Sequence, residues 1–167
     1  MSNLRPNRRQ LLKRAGVLGA LAALFSPAAA FAESNASTQT IGGSWHVSIT
    51  PQGAGVPAPF EALHTFTGDG AVTTAEQRDQ IPPTLMSPGH GTWVALPSND
   101  RPDDFSYNYQ KLVVDTQGNL VGTMIVKAKI ELTNGGQSFK GTGSVVLQPV
   151  TGQAAPDYVI MLDANRI

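Results

Sequence analysis

Residues 119–149 read NLVGTMIVKAKIELTNGGQSFKGTGSVVLQP, and this stretch decides the fold class. Between residues 126 and 132, apolar side chains alternate with charged ones, which is the period of a β-strand with one buried face. Asn134-Gly135 follows, and this dipeptide tolerates the positive φ values that tight hairpins need. The stretch therefore predicts two antiparallel strands joined by a hairpin.

The same strand period extends outward from this hairpin, with turn residues between short runs rich in Val, Ile, Thr and aromatic side chains. The eight predicted strands are SWHVSIT, PFEALHTFT, AVTTAE, HGTWVALP, FSYNYQKLVVD, NLVGTMIVKAKIEL, SFKGTGSVVLQP and DYVIMLDANRI. QRDQ (77–80) predicts one short helical turn. Because most connections have hairpin length, the pattern favours an eight-stranded antiparallel up-and-down β-barrel, in which closure removes exposed edges. A two-sheet sandwich is the alternative, although only residues 77–89 offer a long crossover.

The N-terminus has the pattern of an export signal. NRRQLLK (7–13) precedes an uncharged apolar run at 15–25, which is shorter than the roughly 20 residues of a membrane span. Ala30-Phe31-Ala32 supplies the small residues that a signal peptidase accepts before Glu33. The segment resembles a twin-arginine signal peptide, which implies export of a folded protein by the twin-arginine translocase. We therefore expect a signal peptide at 1–32, a flexible segment at 33–42, a barrel domain at 43–167 and a periplasmic or secreted location.

Removal of residues 1–32 changes the charge of the protein. The mature part keeps all twelve acidic residues but seven of the twelve basic ones, so its formal charge is 7 − 12 = −5 with His neutral. It has no basic cluster, so neither nucleic acid nor a membrane surface is an expected partner after processing. The chain has no cysteine, so stability must come from packing and sheet hydrogen bonds.

The inward faces predict a pocket. Alternation along each strand places His64 in an apolar row and puts two tyrosines, Tyr107 and Tyr109, on one face of the fifth strand. Apolar walls with a few polar groups are typical of a small-molecule site, although the same groups could satisfy one another in a filled core. The residues predicted to contact a ligand are Trp45, Phe60, His64, His90, Trp93, Tyr107, Tyr109 and Met124.

The prediction that His90 contacts a ligand depends on the local geometry of its strand. In SPGHGTWVAL (87–96) both faces of the strand are apolar enough to be interior. If Trp93 points inward, His90 points outward unless Gly91 introduces a bulge. Trp93 is the residue in this stretch expected to contact a ligand or close the barrel.

The sequence contains no established catalytic motif. Three histidines on different strands could meet at a metal, but His46 and His64 point to opposite sides by parity. A single-histidine haem site at His64 or His90 has no specific support, and SNDRPDD (98–104) lacks EF-hand spacing. We predict neither a metal nor a cofactor.

Gly43-Ser44-Trp45 resembles the G-x-W motif that opens lipocalin and other calycin barrels. Together with SPGHGTW (87–93), NLVGT (119–123) and the terminal NRI, it makes the whole mature chain similar to small exported bacterial calycin-like barrels, a group without an established function. The resemblance implies a calycin-like barrel in which Trp45 closes one end. It assigns no catalytic residue.

Three functions follow as hypotheses. The first is an exported barrel that binds a small apolar molecule in its interior. The second is a cofactor-free isomerase, cyclase or lyase that acts on such a molecule, with His64 or His90 as general acid or base. The third is an interaction domain with a filled core. A cavity of about 300 Å³ or more, reached from one end, would favour the first two.

Overall fold

The structure, a computed structural model, describes residues 40–96, 103–153 and 157–167. The expected signal peptide, most of the segment expected to be flexible and part of the SNDRPDD loop lie outside these residues. The strands within the described ranges are β1 Gly43–Gln52, β2 Phe60–Phe66, β3 Ala71–Glu76, β4 Thr84–Met86, β5 Gly89–Ala95, β6 Asp104–Asp115, β7 Leu120–Thr133, β8 Ser138–Pro149 and β9 Tyr158–Arg166. Among these residues no helix has the length and apolar character that a membrane crossing requires.

The strands form one closed antiparallel barrel. β1 pairs with both β2 and β9, and β6 pairs with β7, so the sheet returns on itself. β4 and β5 lie end to end along one edge of β6, where Leu85 is opposite Val114 and His90 is opposite Gln110. Together β4 and β5 occupy the place of one strand in the barrel, so the nine strands form an eight-stranded ring. The predicted eight-stranded up-and-down barrel is confirmed, and the sandwich alternative is wrong.

The turns follow from local backbone chemistry. The predicted hairpin is confirmed: it turns through Asn134 at φ 51° and Gly135 at φ 64°, values that Asn and Gly tolerate better than other residues. The helical turn expected at QRDQ forms as a short 3₁₀ helix, Gln77–Gln80. The hairpin brings β7 and β8 into antiparallel register, whereas the 3₁₀ turn leads from β3 to β4, which pairs with β6.

The predicted alternation of inward and outward side chains is correct on β1, β2, β6 and β7. His46 is exposed on the outer wall, 3.2 Å from Glu61 on the neighbouring strand. The interior is packed, and its buried core includes Trp45, Val47, Ile49, Ala62, Phe66, Phe105, Tyr107, Tyr109, Val126, Ala128, Ile130, Leu132 and Phe139.

One end of the barrel is closed by Trp45. Its ring lies 5.0 Å from the ring of Phe139, and its Nε1 donates to the carbonyl oxygen of Ile41 at 2.9 Å. The guanidinium of Arg166 lies 4.3 Å from the centre of the Trp45 ring and donates to the carbonyl oxygens of Thr40 and Gly42. We call this the closed end. It leaves the opposite end as the one that can open to solvent.

Candidate functional site

A cavity of about 730 Å³ lies at the opposite end of the barrel. The 53–57 loop after β1, the 3₁₀ turn and the mouth-side ends of β4, β6, β7, β8 and β9 surround it. Its apolar walls include Met86, Val113, Met124, Val145 and Leu147. We call this space the mouth cavity. Its size and apolar lining are those of a small-molecule pocket.

Arg78 and Tyr158 supply polar groups to the mouth cavity. The half-buried guanidinium of Arg78 lies 5.7 Å from the centre of the Phe60 ring. Burial raises the pKa of Tyr158, and the nearby charge of Glu76 raises it further, whereas the charge of Arg78 acts in the opposite direction. Tyr158 therefore presents a protonated hydroxyl at neutral pH.

Below the mouth cavity, the barrel interior contains a buried ionic group that we call the polar cluster: Glu76, Asp79, Tyr109 and Lys111. Lys111 is 1 % exposed, and its Nζ lies 2.5 Å from Asp79 Oδ1 and 3.1 Å from Glu76 Oε1. The hydroxyl of Tyr109 donates to Glu76 Oε1 at 2.7 Å. A buried lysine thus has two carboxylates as partners, which is the condition under which such a charge is tolerated inside a protein.

Strand parity and one tight turn build the polar cluster. Lys111 is on the same face of β6 as Tyr107 and Tyr109, and Glu76 ends the inward row of β3. Asp79 follows in the 3₁₀ turn, where its Oδ2 accepts from the backbone N–H of Glu76 at 2.8 Å. Sequence reasoning missed these ionic residues, although the parity that placed Tyr107 and Tyr109 inward would also have placed Lys111 there.

The ionisation of the polar cluster follows from its burial. Burial raises the pKa of Glu76, and the charge of Lys111 only partly offsets this effect. Burial also raises the pKa of Tyr109 well above its ordinary value, and the charge of Glu76 adds to the shift. Tyr109 therefore stays protonated and acts as a hydrogen-bond donor to the carboxyl group.

His64 lies deeper in the interior and is fully buried. Its Nδ1 is 3.4 Å from the hydroxyl of Tyr107, while its Nε2 and the hydroxyl of the cross-strand neighbour Thr74 have no hydrogen-bond partner among the described residues. Burial, assisted by the charge of Lys111, lowers the pKa of His64 to about 3. The imidazole is therefore neutral across the physiological range.

The residues predicted to contact a ligand do not lie together. Met124 is the member of that set that lines the mouth cavity. The side chains at the other interior positions pack within the core and away from the cavity: Trp45, His64, Tyr107 and Tyr109. Phe60 is half-buried and is covered by the guanidinium of Arg78. The sequence identified inward faces correctly but not the level of the barrel at which the interior is open.

The interior placement considered for His90 is wrong. His90 is exposed. β5 pairs with β3 and with β6 at His90 and Gly91 without a shift of register. There is therefore no bulge at Gly91 that would turn His90 inward. The glycines on either side face the interior instead. A Cβ on Gly91 would overlap the carbonyl oxygen of Asn108, and one on Gly89 would overlap the hydroxyl of Thr74. These glycines allow close packing around the polar cluster.

Trp93 is half-buried near the closed end rather than at the mouth. Its Nε1 donates to the carbonyl oxygen of Thr67 at 2.9 Å, and its ring lies 5.8 Å from that of Phe105. This contact fastens β5 to the turn between β2 and β3. Trp93 therefore does not line the mouth cavity, where a ligand contact would place it.

The described residues contain no group of three or more His, Asp or Glu side chains arranged to hold a metal ion. Two histidines, His46 and His90, are exposed on the outer wall, whereas His64 is inside. The three therefore cannot share a metal.

Comparisons with known proteins add little. No protein-family model matches the chain, and no curated protein matches it. Among solved structures, the chain is similar to the crystal structure of Rv2717c from M. tuberculosis, with 11 % sequence identity over 76 % of this chain and 92 % of that chain, and a TM-score of 0.37. Arguments about function therefore depend on the geometry of the barrel itself.

Proposed function

We propose that this protein binds a small, largely apolar molecule in the mouth cavity. The observation that supports the proposal is the cavity itself, about 730 Å³ in volume, walled mainly by aliphatic and methionine side chains and reached from one end. Burial of an apolar molecule there would remove both its surface and the cavity walls from water, which is favourable by about 25 cal/mol per Å².

The rest of the interior limits where a ligand can sit. Aromatic side chains fill the closed end, with Phe66 5.2 Å from Tyr107 and 6.4 Å from Phe139 between ring centres. The polar cluster occupies the level below the mouth. A ligand would therefore enter from the mouth and stop above the polar cluster, so the barrel is partly filled and partly open.

Binding is favoured over the alternative of a cofactor-free isomerase, cyclase or lyase. That alternative assigned acid–base chemistry to a histidine that meets a tyrosine inside the cavity. His64 does approach Tyr107, but both are buried in the packed core, and His90 is exposed on the outer wall. Neither histidine lines the mouth cavity.

Leu147→Trp is expected to block the mouth cavity. Leu147 is 38 % exposed, lies on the inward face of β8 and lines the cavity, so a larger ring there can occupy ligand space without entering the packed core. We expect the affinity for the neutral probe N-phenyl-1-naphthylamine to fall by roughly fivefold or more, measured by fluorescence titration, since about 1.4 kcal/mol corresponds to tenfold in affinity.

Val94→Trp is the matched control, because Val94 is 58 % exposed on β5 and does not line the cavity. Its affinity for the probe should equal that of the unaltered protein. Equal loss in both variants, or no saturable binding by the unaltered protein, would contradict the proposed function. Mass spectrometry of small molecules released from protein purified from its native source would then identify the ligand.

We also propose that the protein is exported through the twin-arginine translocase, with a periplasmic or secreted location. The supporting residues are Arg8 and Arg9 ahead of the apolar run at 15–25. Replacement of both arginines by lysine is expected to leave uncleaved precursor in the cytoplasm, measured by fractionation and immunoblotting. Replacement of Arg5 and Arg14 by lysine is the control. Normal export of the Arg8/Arg9 variant would contradict this proposal.

We also propose that the barrel is calycin-like. It is supported by the position of Trp45 at the start of β1 and by its burial beneath Arg166 from the last strand. The antiparallel meander, in which β9 returns to pair with β1, is compatible with that architecture.

A further inference from the structure

We infer that the mouth cavity is selective for amphiphiles that have an apolar chain and an anionic head group, with Arg78 and Tyr158 as the groups that bind the head. The inference rests on the proposed function and names the class of ligand. It follows from three observations on the described residues: a guanidinium without an anionic partner, a neighbouring carboxylate pair that is turned away from it and bound to Lys111, and a tyrosine hydroxyl without a partner in the same cavity.

Arg78 is the first observation. Within the described residues its guanidinium makes no ion pair or hydrogen bond, and it lies 5.7 Å from the centre of the Phe60 ring. A guanidinium has five N–H donors and binds carboxylate, sulfate or phosphate groups through paired hydrogen bonds. Arg78 lines the mouth cavity with these donors unused.

The polar cluster explains why Arg78 has no carboxylate partner. Glu76 and Asp79 flank it in the chain, yet both turn inward to Lys111, at 3.1 Å and 2.5 Å. The 3₁₀ turn that directs Asp79 to Lys111 leaves Arg78 at the cavity. Asp157 also lines the cavity, but it is exposed and not paired with Arg78.

Tyr158 supplies the second group. It is half-buried at the start of β9, and its hydroxyl has no hydrogen-bond partner within the described residues. Tyr158 and Arg78 both line the mouth cavity, so one bound head group can reach both side chains. A protonated phenol can donate to an oxygen of an anionic head group while Met86, Met124 and Leu147 contact the chain.

The test compares ligands that share one alkyl chain and differ in the head group. Decanoate, decyl sulfate, decanol and decyltrimethylammonium would be titrated into the purified protein below their aggregation concentrations, with binding followed by calorimetry. We expect both anions to bind about tenfold more tightly than decanol, since a hydrogen bond to a charged group is stronger than a neutral one, and the cation to bind most weakly. Equal affinity of the two anions indicates recognition of charge; a preference for decanoate indicates a carboxylate site.

Variants assign the effect to the named residues. Arg78→Gln is expected to reduce decanoate affinity about tenfold without changing that of decanol, Arg78→Lys to retain most of the preference, and Tyr158→Phe to reduce decanoate affinity about threefold. Lys127→Gln removes one positive charge from the outer wall and should change neither affinity. If Arg78→Gln does not fold, the ratio of decanoate to decanol affinity on the unaltered protein decides.

The outcomes separate this inference from the proposed function. Binding of decanol as tight as that of decanoate, or equal loss of both in Arg78→Gln, overturns the inference and leaves the apolar pocket in place. Absence of binding for all four ligands and for N-phenyl-1-naphthylamine overturns both.

Discussion

Replacement of Lys111 by methionine is expected to destabilise the protein by about 3–5 kcal/mol, because it leaves two buried carboxyl groups without their cation. Lys111 Nζ is in contact with both Asp79 and Glu76. Methionine has a similar length and fills similar space, so the loss reports the ionic partner rather than a cavity. The measurement is the free energy of unfolding from urea titration at neutral pH.

Two further variants make the expectation for Lys111 specific. Lys127→Met removes an exposed lysine of β7 and should change stability by less than about 0.5 kcal/mol. The combination Glu76→Gln, Asp79→Leu and Lys111→Met removes the charges together and should be less destabilised than Lys111→Met alone. A single Lys111→Met variant as stable as the unaltered protein would contradict the assignment of a buried ion pair.

Replacement of His64 by glutamine is expected to make the protein less sensitive to acid. The folded-state pKa of His64 is about 3, below its ordinary value of 6.5, because burial penalises the charged imidazole. Between these values the unfolded chain binds a proton that the folded chain does not, so stability is fully present above about pH 6.5 and falls as pH decreases towards 3. Protonation of His64 in the unfolded chain should lower the free energy of unfolding by about 2 kcal/mol between pH 7 and pH 5.

The measurement is the difference in unfolding free energy between His64→Gln and the unaltered protein at several pH values. This difference isolates His64 from Glu76, whose raised pKa acts with the opposite sign: its contribution is present at low pH and is lost as pH rises through the folded-state pKa. His90→Gln, at an exposed position, is the control. A difference between His64→Gln and the unaltered protein that is constant with pH would show that His64 is not buried in the neutral form.

The polar cluster and the glycines of β5 are linked. Gly89 approaches Thr74, Tyr109 and Lys111 so closely that a Cβ would require all three to move. The stretch SPGHG is therefore explained by the space its glycines leave inside the barrel, and His90 points away as a consequence of strand alternation. In this stretch the glycines beside His90 have the structural role, because they leave room for the side chains packed inside the barrel.

The candidate site was only partly predictable. Met124 was identified because its strand alternates clearly, and the mouth cavity does include it. Arg78 and Tyr158 were missed, since one lies in a four-residue turn and the other at the start of the last strand, 80 residues apart in the chain. Nothing local relates two such positions. Both line the mouth cavity because β9 and the end of β3 reach the same end of the barrel.

The sequence by itself determined eight of the nine strands in the described ranges, the hairpin at Asn134-Gly135 and the inward faces of β1, β2, β6 and β7. These depend on the two-residue period and on the φ preferences of Asn and Gly, which are local properties. The short strand β4, in the stretch expected to be a connection, was missed. Tertiary structure decided the rest. Closure of β6 onto β7 and of β9 onto β1 set the height at which each inward side chain lies. Large aromatic rings fill the closed end, the ion pairs of Lys111 fill the middle, and smaller side chains such as Val113 and Val145 leave the mouth open. Whether an inward residue is core or cavity wall depends on its neighbours around the ring, which the linear sequence does not place side by side.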